Sequence, residues 1–174
     1  MNLAIRADSS ESIGTGHIVR CISLAKELRK LGARVHFISK TYKGNILELV
    51  KKNKFIINKI KPELSIKKDI NVTSRILKKY KTNLLILDNY NLNLLWEKKI
   101  KKCLKKLIVI NDITQKHCSD ILIDYNFLLD AKKSPCEFYP RSTILNFKLL
   151  SGLRYAILND EYKKIKKNIK VKKK

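Results

Sequence analysis

The chain is short of acid, has no paired cysteines and contains no long apolar run, and each shortage excludes something. Its 174 residues carry only 15 Asp plus Glu against 39 Lys plus Arg, a formal net charge of +24. No stretch approaches the roughly 18 consecutive apolar residues of a membrane-spanning helix. The apolar stretch in Met1 to Asp8 is too short, and charged too early, for a signal peptide, so a soluble, cytoplasmic protein without membrane contact is expected. The four cysteines, Cys21, Cys103, Cys118 and Cys136, include no CxxC pair and no zinc-finger spacing, which leaves free thiols and no metal site as the reading. No internal repeat is present. The length rules out a disulfide-stapled miniprotein and fits one domain, since domains run to roughly 100–200 residues.

What is abundant is lysine. There are 32 Lys and 7 Arg, and a lysine-dominated excess argues less for base or phosphate readout than an arginine-dominated one, because arginine supplies the planar fork. Eight lysines fall in the last 12 residues, leaving +16 on the first 162. Others, such as Lys98, Lys99, Lys101, Lys102, Lys105 and Lys106, alternate with apolar positions as a solvated helix face does. No specific nucleic-acid partner is expected. A basic module for nucleic acid or anionic surfaces stays open as the alternative from a different class.

Apolar runs and helical spacings alternate along the chain. Leu3 to Ala7 reads as a strand, Asp8 to Gly16 as a loop, and Ile18 to Leu31 as a helix that Gly32 stops. Strands follow at Val35–Ile38, Phe55–Ile60, Leu84–Leu87, Leu107–Ile110 and Ile121–Ile123, with helices at Asn45–Asn53, Asp69–Tyr80 and Leu94–Leu104 between them. Strands apolar at every position belong to parallel sheets covered on both faces. The pattern therefore predicts an α/β fold, a Rossmann-like doubly wound parallel sheet over residues 1–158, with 159–174 a Lys-rich linker or helix. The stretch from Asp130 to Phe147, with Pro135 and Pro140, is irregular.

In such sheets ligands bind at the carboxyl ends of the strands. There the chain places Arg6, Asp8, Ser9 and Ser10, then Gly14-Thr15-Gly16-His17, then Asp88-Asn89-Tyr90, Asn111-Asp112, and Asp124 with Asn126. The Gly14–Gly16 loop is not the dinucleotide pattern, because Val19 stands where the third glycine would be, and no Gly-Lys-Ser/Thr follows for a Walker loop. Its glycines would let backbone approach a ligand, beside a helix N-terminus that offers N–H groups. The positive end of that helix disfavours an added charge on His17, which suits a neutral base. Arg20 lies one turn further on. Arg6 and Asp8 read equally as an ion pair or as site residues. Asp88 reads as a loop cap or as a partner of sugar or water. His36, inside a strand, and His117, beside Cys118, read as structural.

These residues resemble, in order, a known family. Ile5-Arg6-Ala7-Asp8-Ser9-Ser10, Ile13-Gly14-Thr15-Gly16-His17, Arg20-Cys21, Leu24-Ala25, Leu87-Asp88-Asn89-Tyr90, Ile110-Asn111-Asp112, Cys118-Ser119-Asp120-Ile121-Leu122 with Asn126, and Gly152 to Leu158 are similar to segments of the UDP-2,4-diacetamido-2,4,6-trideoxy-β-L-altropyranose hydrolases of pseudaminic acid biosynthesis. The resemblance covers residues 1 to about 162. Asn89 departs from the family's usual His and Asn111 from its usual Asp. The resemblance implies two Rossmann-like domains in the GT-B arrangement and cofactor-free, metal-independent hydrolysis of a UDP-sugar. Water, activated by His17, would invert the anomeric carbon and release UDP. It implies that Arg6, Asp8, Gly14, Thr15, Gly16, Arg20, Asp88, Tyr90 and Asn126 contact the substrate. It further implies that this chain is an N-terminal half, whose partner is a C-terminal nucleotide-binding domain. A GT-B glycosyltransferase half is the alternative within enzymes.

Overall fold

Strands that are apolar at every position need cover on both faces, and these have it. The computed structural model describes residues 1–111, 113, 115–125 and 148–159. Among them the order is β1 (Asn2–Ala7), α1 (Gly16–Lys30), β2 (Arg34–Lys40), α2 (Leu47–Lys52), β3 (Ile56–Ile60), α3 (Ile66–Lys79), β4 (Leu84–Asp88), α4 (Leu94–Lys101), β5 (Lys106–Ile110), β6 (Ile121–Asp124), β7 (Lys148–Ser151) and a 3-10 turn at Leu153–Tyr155. All neighbouring strands run parallel, in the order β3-β2-β1-β4-β5-β6-β7. The fold is α/β and Rossmann-like, as the pattern predicts.

The side-chain period of two sorts each strand between two cores. On one face Leu3, Ile5 and Ala7 of β1 and Ile86 of β4 pack with Ile18, Cys21, Ile22 and Ala25 of α1 and with Leu47 and Val50 of α2. On the other face Ala4 of β1 and Leu85 and Leu87 of β4 pack with Leu77 of α3 and with Trp96 and Ile100 of α4. This alternation decides where polar residues of the same strands go. Asp88, in phase with Ile86, faces α1. Arg6, in phase with Ala4, faces α3 and α4.

Helix ends follow local chemistry. Gly32, at φ +84, closes α1: its N–H donates to the Arg29 carbonyl and that of Ala33 to the Leu28 carbonyl, the paired bonds of a glycine-terminated helix. Helix α3 starts at Ile66, three residues before the expected Asp69, because the Ser65 side chain accepts the Lys68 N–H and caps it. Helix α4 is capped by Asn93 and ends at Lys101 rather than Leu104. Strand β7 was not among the expected elements: only four residues long, it has no helical pattern directly before it in the sequence. Asp130 to Phe147 and residues 160–174 lie outside the described residues.

On β2, His36 is buried, with its Nε2 2.8 Å from the Thr82 hydroxyl, its Nδ1 3.1 Å from Asn58 Nδ2, and Tyr80 stacked on its ring. Burial pushes the imidazole down to about 4 from its ordinary value near 6.5. The unfolded chain takes up the proton first. The contribution to stability is therefore complete above about 6.5 and is lost as pH falls toward 4, at up to about 1.4 kcal/mol per pH unit. Urea unfolding at pH 7 and pH 4.5 should show a smaller acid loss in His36→Gln than in the parent chain; equal losses would remove His36 as a cause.

Candidate active site at the sheet switch point

Strand order reverses between β1 and β4, since β2 and β3 continue to one side of β1 and β5 to the other side of β4. The two connections leave in opposite directions and open a crevice at the strands' carboxyl ends. A cavity of about 200 Å³ lies there, lined by Asp8, Ser12, Ile13, His17, Asp88, Asn89, Tyr90 and Asn91.

His17 is the second residue of α1, and it sits over the end of β4. Its Nδ1 is 2.6 Å from Oδ1 of Asp88. Arg20, one turn along the helix, grips the same carboxylate twice, Nε to Oδ2 at 2.6 Å and Nη2 to Oδ1 at 2.5 Å. The thiol of Cys21 completes the set at 3.3 Å from Oδ2. A carboxylate offers about four acceptor positions, and all are filled. Burial by itself pushes the Asp88 carboxyl up, but the hydrogen bonds and charges of Arg20 and His17 outweigh it and hold the group below the ordinary carboxylate range. Burial and the neighbouring Asp88 charge push the Cys21 thiol well up, so it stays a protonated donor.

The tautomer follows from these partners. An ionised carboxylate only accepts, so the Nδ1 of a neutral His17 carries the proton and its lone pair is on Nε2. The Arg20 Nη2, 3.0 Å from Nδ1, then sends its proton to Asp88 instead. Tyr90 packs edge-on against the imidazole, ring centres 4.7 Å apart. Arg20 is itself steadied by donating to the Tyr125 hydroxyl at the end of β6.

The loop before α1 is shaped by its own bonds. Ser10 Oγ accepts from the N–H groups of Ser12 and Ile13, and its carbonyl accepts from Gly14 at 2.9 Å. Gly14 has φ +80, a conformation only glycine adopts without strain. Thr15 makes no side-chain cap, which leaves the N-terminus of α1 beside the cavity without a side-chain acceptor.

Beneath the cavity lies a second polar network. Arg6 is fully buried, with Nη1 2.5 Å from Asp8 and Nη2 3.1 Å from Asp69 of α3. Asp69 also accepts from the Trp96 indole at 2.8 Å and from Thr73, and lies 3.6 Å from Lys40 Nζ. Asp8 accepts further from the Lys40 N–H, Ser39 and Asn89. Two carboxylates and two cations balance.

Of the residues expected at the site, His17, Asp8, Asp88 and Tyr90 line the cavity. Gly14, Thr15 and Gly16 flank it. Arg6 and Arg20 do not line it; they hold Asp8 and Asp88, the two carboxylates that do. Asn126 lies outside the described residues. Asn89 and Asn111 both prove to be donors: Asn89 donates to Asp8 at 2.7 Å, and Asn111 to Nε2 of His117 at 2.6 Å, a bond that an ionised Asp at position 111 could not donate. His117 also reaches the fully buried Glu97 through Nδ1 at 2.6 Å, so it braces α4 against the end of β5 and stays away from the cavity. Ser12, Asn91, Cys21, Asp69 and Trp96 were not foreseen. The available clue to the last two was a carboxylate and an indole N–H at positions otherwise in phase with apolar ones.

No protein-family model matches the chain. It is 31% identical over 172 residues to the UDP-2,4-diacetamido-2,4,6-trideoxy-β-L-altropyranose hydrolase of Campylobacter jejuni, covering 97% of this chain and 56% of that protein. It is 29% identical over 174 residues to an uncharacterized protein of Methanocaldococcus jannaschii, covering 97% of this chain and 33% of that one. The chain thus spans about half and about a third of the length of these two relatives. Among solved structures it is similar to MurG of Acinetobacter baumannii, a GT-B protein, with a TM-score of 0.59 at 11% identity over 73% of this chain and 42% of MurG. That likeness is one of fold. Among the described residues no helix is long and apolar enough to cross a membrane.

Breaking the lower network should be expensive, because removing one partner leaves a buried charge unmatched. Asp69→Asn should lower the unfolding free energy by about 3–5 kcal/mol in urea titrations. A loss under about 1 kcal/mol would show that the Arg6 pairing is not what holds α3 to β1.

Proposed function

We propose that this chain supplies the water-activating half of a nucleotide-sugar hydrolase that releases UDP from UDP-2,4-diacetamido-2,4,6-trideoxy-β-L-altropyranose. The observation that carries the reading is the His17–Asp88 contact at the switch point, 2.6 Å long and facing a cavity of about 200 Å³. Kinship with the Campylobacter hydrolase over 97% of the chain supports the substrate class.

Hydrolysis at an anomeric carbon needs one base, one positioned water and a leaving group that departs readily. His17 is the base. Its Nε2 takes a proton from water as the water oxygen bonds to the anomeric carbon. The carbon–oxygen bond to the β-phosphate breaks, and its electron pair leaves with UDP. Attack comes from the side opposite the departing phosphate, so the configuration inverts. Asp88 holds the ring so that Nε2 presents its lone pair. The proton then returns to solvent.

The cavity is smaller than the about 300–1,000 Å³ usual for a ligand pocket, and it has room for a sugar ring but not for a whole nucleotide sugar. In this reading Ser12, Asn89 and Asn91 supply neutral hydrogen-bonding groups to the sugar, and the N-terminus of α1 faces the diphosphate. Most uridine contacts then come from a second domain, the chain's partner in catalysis. No metal or cofactor is called for. The reaction belongs with the cytoplasmic steps of pseudaminic acid synthesis.

The test is turnover of the UDP-sugar in ¹⁸O-water, by the chain alone and with the C-terminal half of the Campylobacter hydrolase added. UDP should be released in the second case with the label on the sugar's anomeric oxygen, and His17→Gln should lower kcat about 10²- to 10⁴-fold. Label in UDP, undiminished turnover by His17→Gln, or no UDP under either condition would overturn the proposal. Transfer of the sugar to an added acceptor in preference to water would make the protein a glycosyltransferase.

A further inference from the structure

The geometry points to Arg20 as a positioning residue that lets Asp88 orient the His17 base while cancelling much of the carboxylate's pull on a proton. This deepens the hydrolase reading and rests on it. A lone carboxylate beside an imidazole does two things at once: it fixes the tautomer, and it favours the doubly protonated ring. Only the first helps a base that must be neutral before it can act.

Here the two effects are separated. Arg20 meets Asp88 side-on through Nε at 2.6 Å and Nη2 at 2.5 Å, so the carboxylate plane is fixed by two parallel bonds. Its Nη2 stands 3.0 Å from His17 Nδ1. An imidazolium at that place would meet a guanidinium almost as near as the carboxylate, and the pair it faces is close to neutral overall. The helix end adds to this, since His17 is in the first turn of α1. The charged and titratable groups facing the cluster among the described residues are Asp88 and Tyr90 from β4 and the turn after it, Arg20 and Cys21 from α1, Tyr125 from the end of β6, and Asp8 across the cavity. Of these, Arg20 is the cation.

Arg20 is also built into place. Its side chain is largely covered, it donates to the Tyr125 hydroxyl, and its guanidinium lies 5.4 Å from that ring's centre. The pairing with Asp88 more than offsets burial, so the guanidinium holds its proton even more firmly than usual. The cation is therefore constant across any accessible pH.

Three variants test this: Arg20→Gln removes the cation, Arg20→Lys keeps a charge but not the fork, and Tyr125→Phe loosens Arg20 without changing charge. Two readouts are used. The ¹⁵N signals of the His17 ring, compared at the same pH, should show about a tenfold higher ratio of doubly protonated to neutral ring in Arg20→Gln than in the parent chain. Arg20→Lys should stay within about threefold of the parent in that ratio yet lose about tenfold in kcat, because a point charge does not fix the carboxylate plane. Tyr125→Phe should leave the ratio unchanged. With the second domain supplied, the acid limb of the kcat/KM profile should move to higher pH in Arg20→Gln. An unchanged or lower ratio in Arg20→Gln overturns the role given to Arg20. If the ratio rises while the acid limb stays put, Arg20 acts as stated and it is the assignment of His17 as base that fails. Should Arg20→Gln not fold, Arg20→Lys decides: a ratio like the parent's with full kcat would equally overturn the proposal.

Discussion

A carboxylate taken out of water must have its acceptor positions filled, and the site is organised around one that is. Asp88 ends β4 on the face covered by α1, and four donors from that one helix close around it: the His17 ring, two nitrogens of Arg20 and the Cys21 thiol. Residues 17, 20 and 21 come together because three and four positions make one turn. The satisfied carboxylate sets the height and rotation of α1 against the sheet. It thereby sets where the loop from Ser10 to Gly16 passes and which way the His17 ring turns.

The same constraint recurs on the opposite face. Arg6 of β1 points toward α3 and α4, where Asp69 and the Trp96 indole meet it, while Asp8 one strand position beyond the end of β1 ties Arg6 to the cavity wall. Asn89, next to Asp88, donates to Asp8 and so links the two networks at the point where β1 and β4 diverge. Both strands of the switch point are thus anchored, one on each face of the sheet. Both carboxylates that line the cavity, Asp8 and Asp88, are fixed by buried hydrogen bonds, which is what a site needs if one imidazole nitrogen is to stay aimed at a reacting atom.

Much of this was legible in the chain. Apolar strands such as Leu84–Leu87 and Leu107–Ile110 announce a sheet covered on both faces, and helical spacing from Ile18 to Leu31 announces α1. Polar residues directly after the strands mark the edge where a crevice forms, which is how His17, Asp8, Asp88 and Tyr90 could be picked out together. What could not be read is pairing across the fold. Arg20 and Asp88 are 68 residues apart, and nothing local says that the arginine grips the carboxylate instead of a ligand. Arg6 looks like a site residue because it is a charge in an apolar strand, but the alternation that buries Ala4 against α3 and α4 carries Arg6 to the same side, and only the position of Asp69 explains why that is tolerated. The short strand β7 lacks both the apolar run and the adjoining helical spacing in the sequence that identify its neighbours.

The central proposal is spatial: it puts the His17 ring beside the carbon at which the nucleotide would depart. It is tested most directly by a crystal structure of the chain with a carbon-linked analogue of the UDP-sugar, one that cannot lose its nucleotide. The account predicts the sugar ring in the cavity between β1 and β4, with an ordered water about 3 Å from His17 Nε2 and in line with the anomeric carbon. A sugar bound away from that crevice, or a phosphorus atom in place of the carbon in front of the ring, would contradict it.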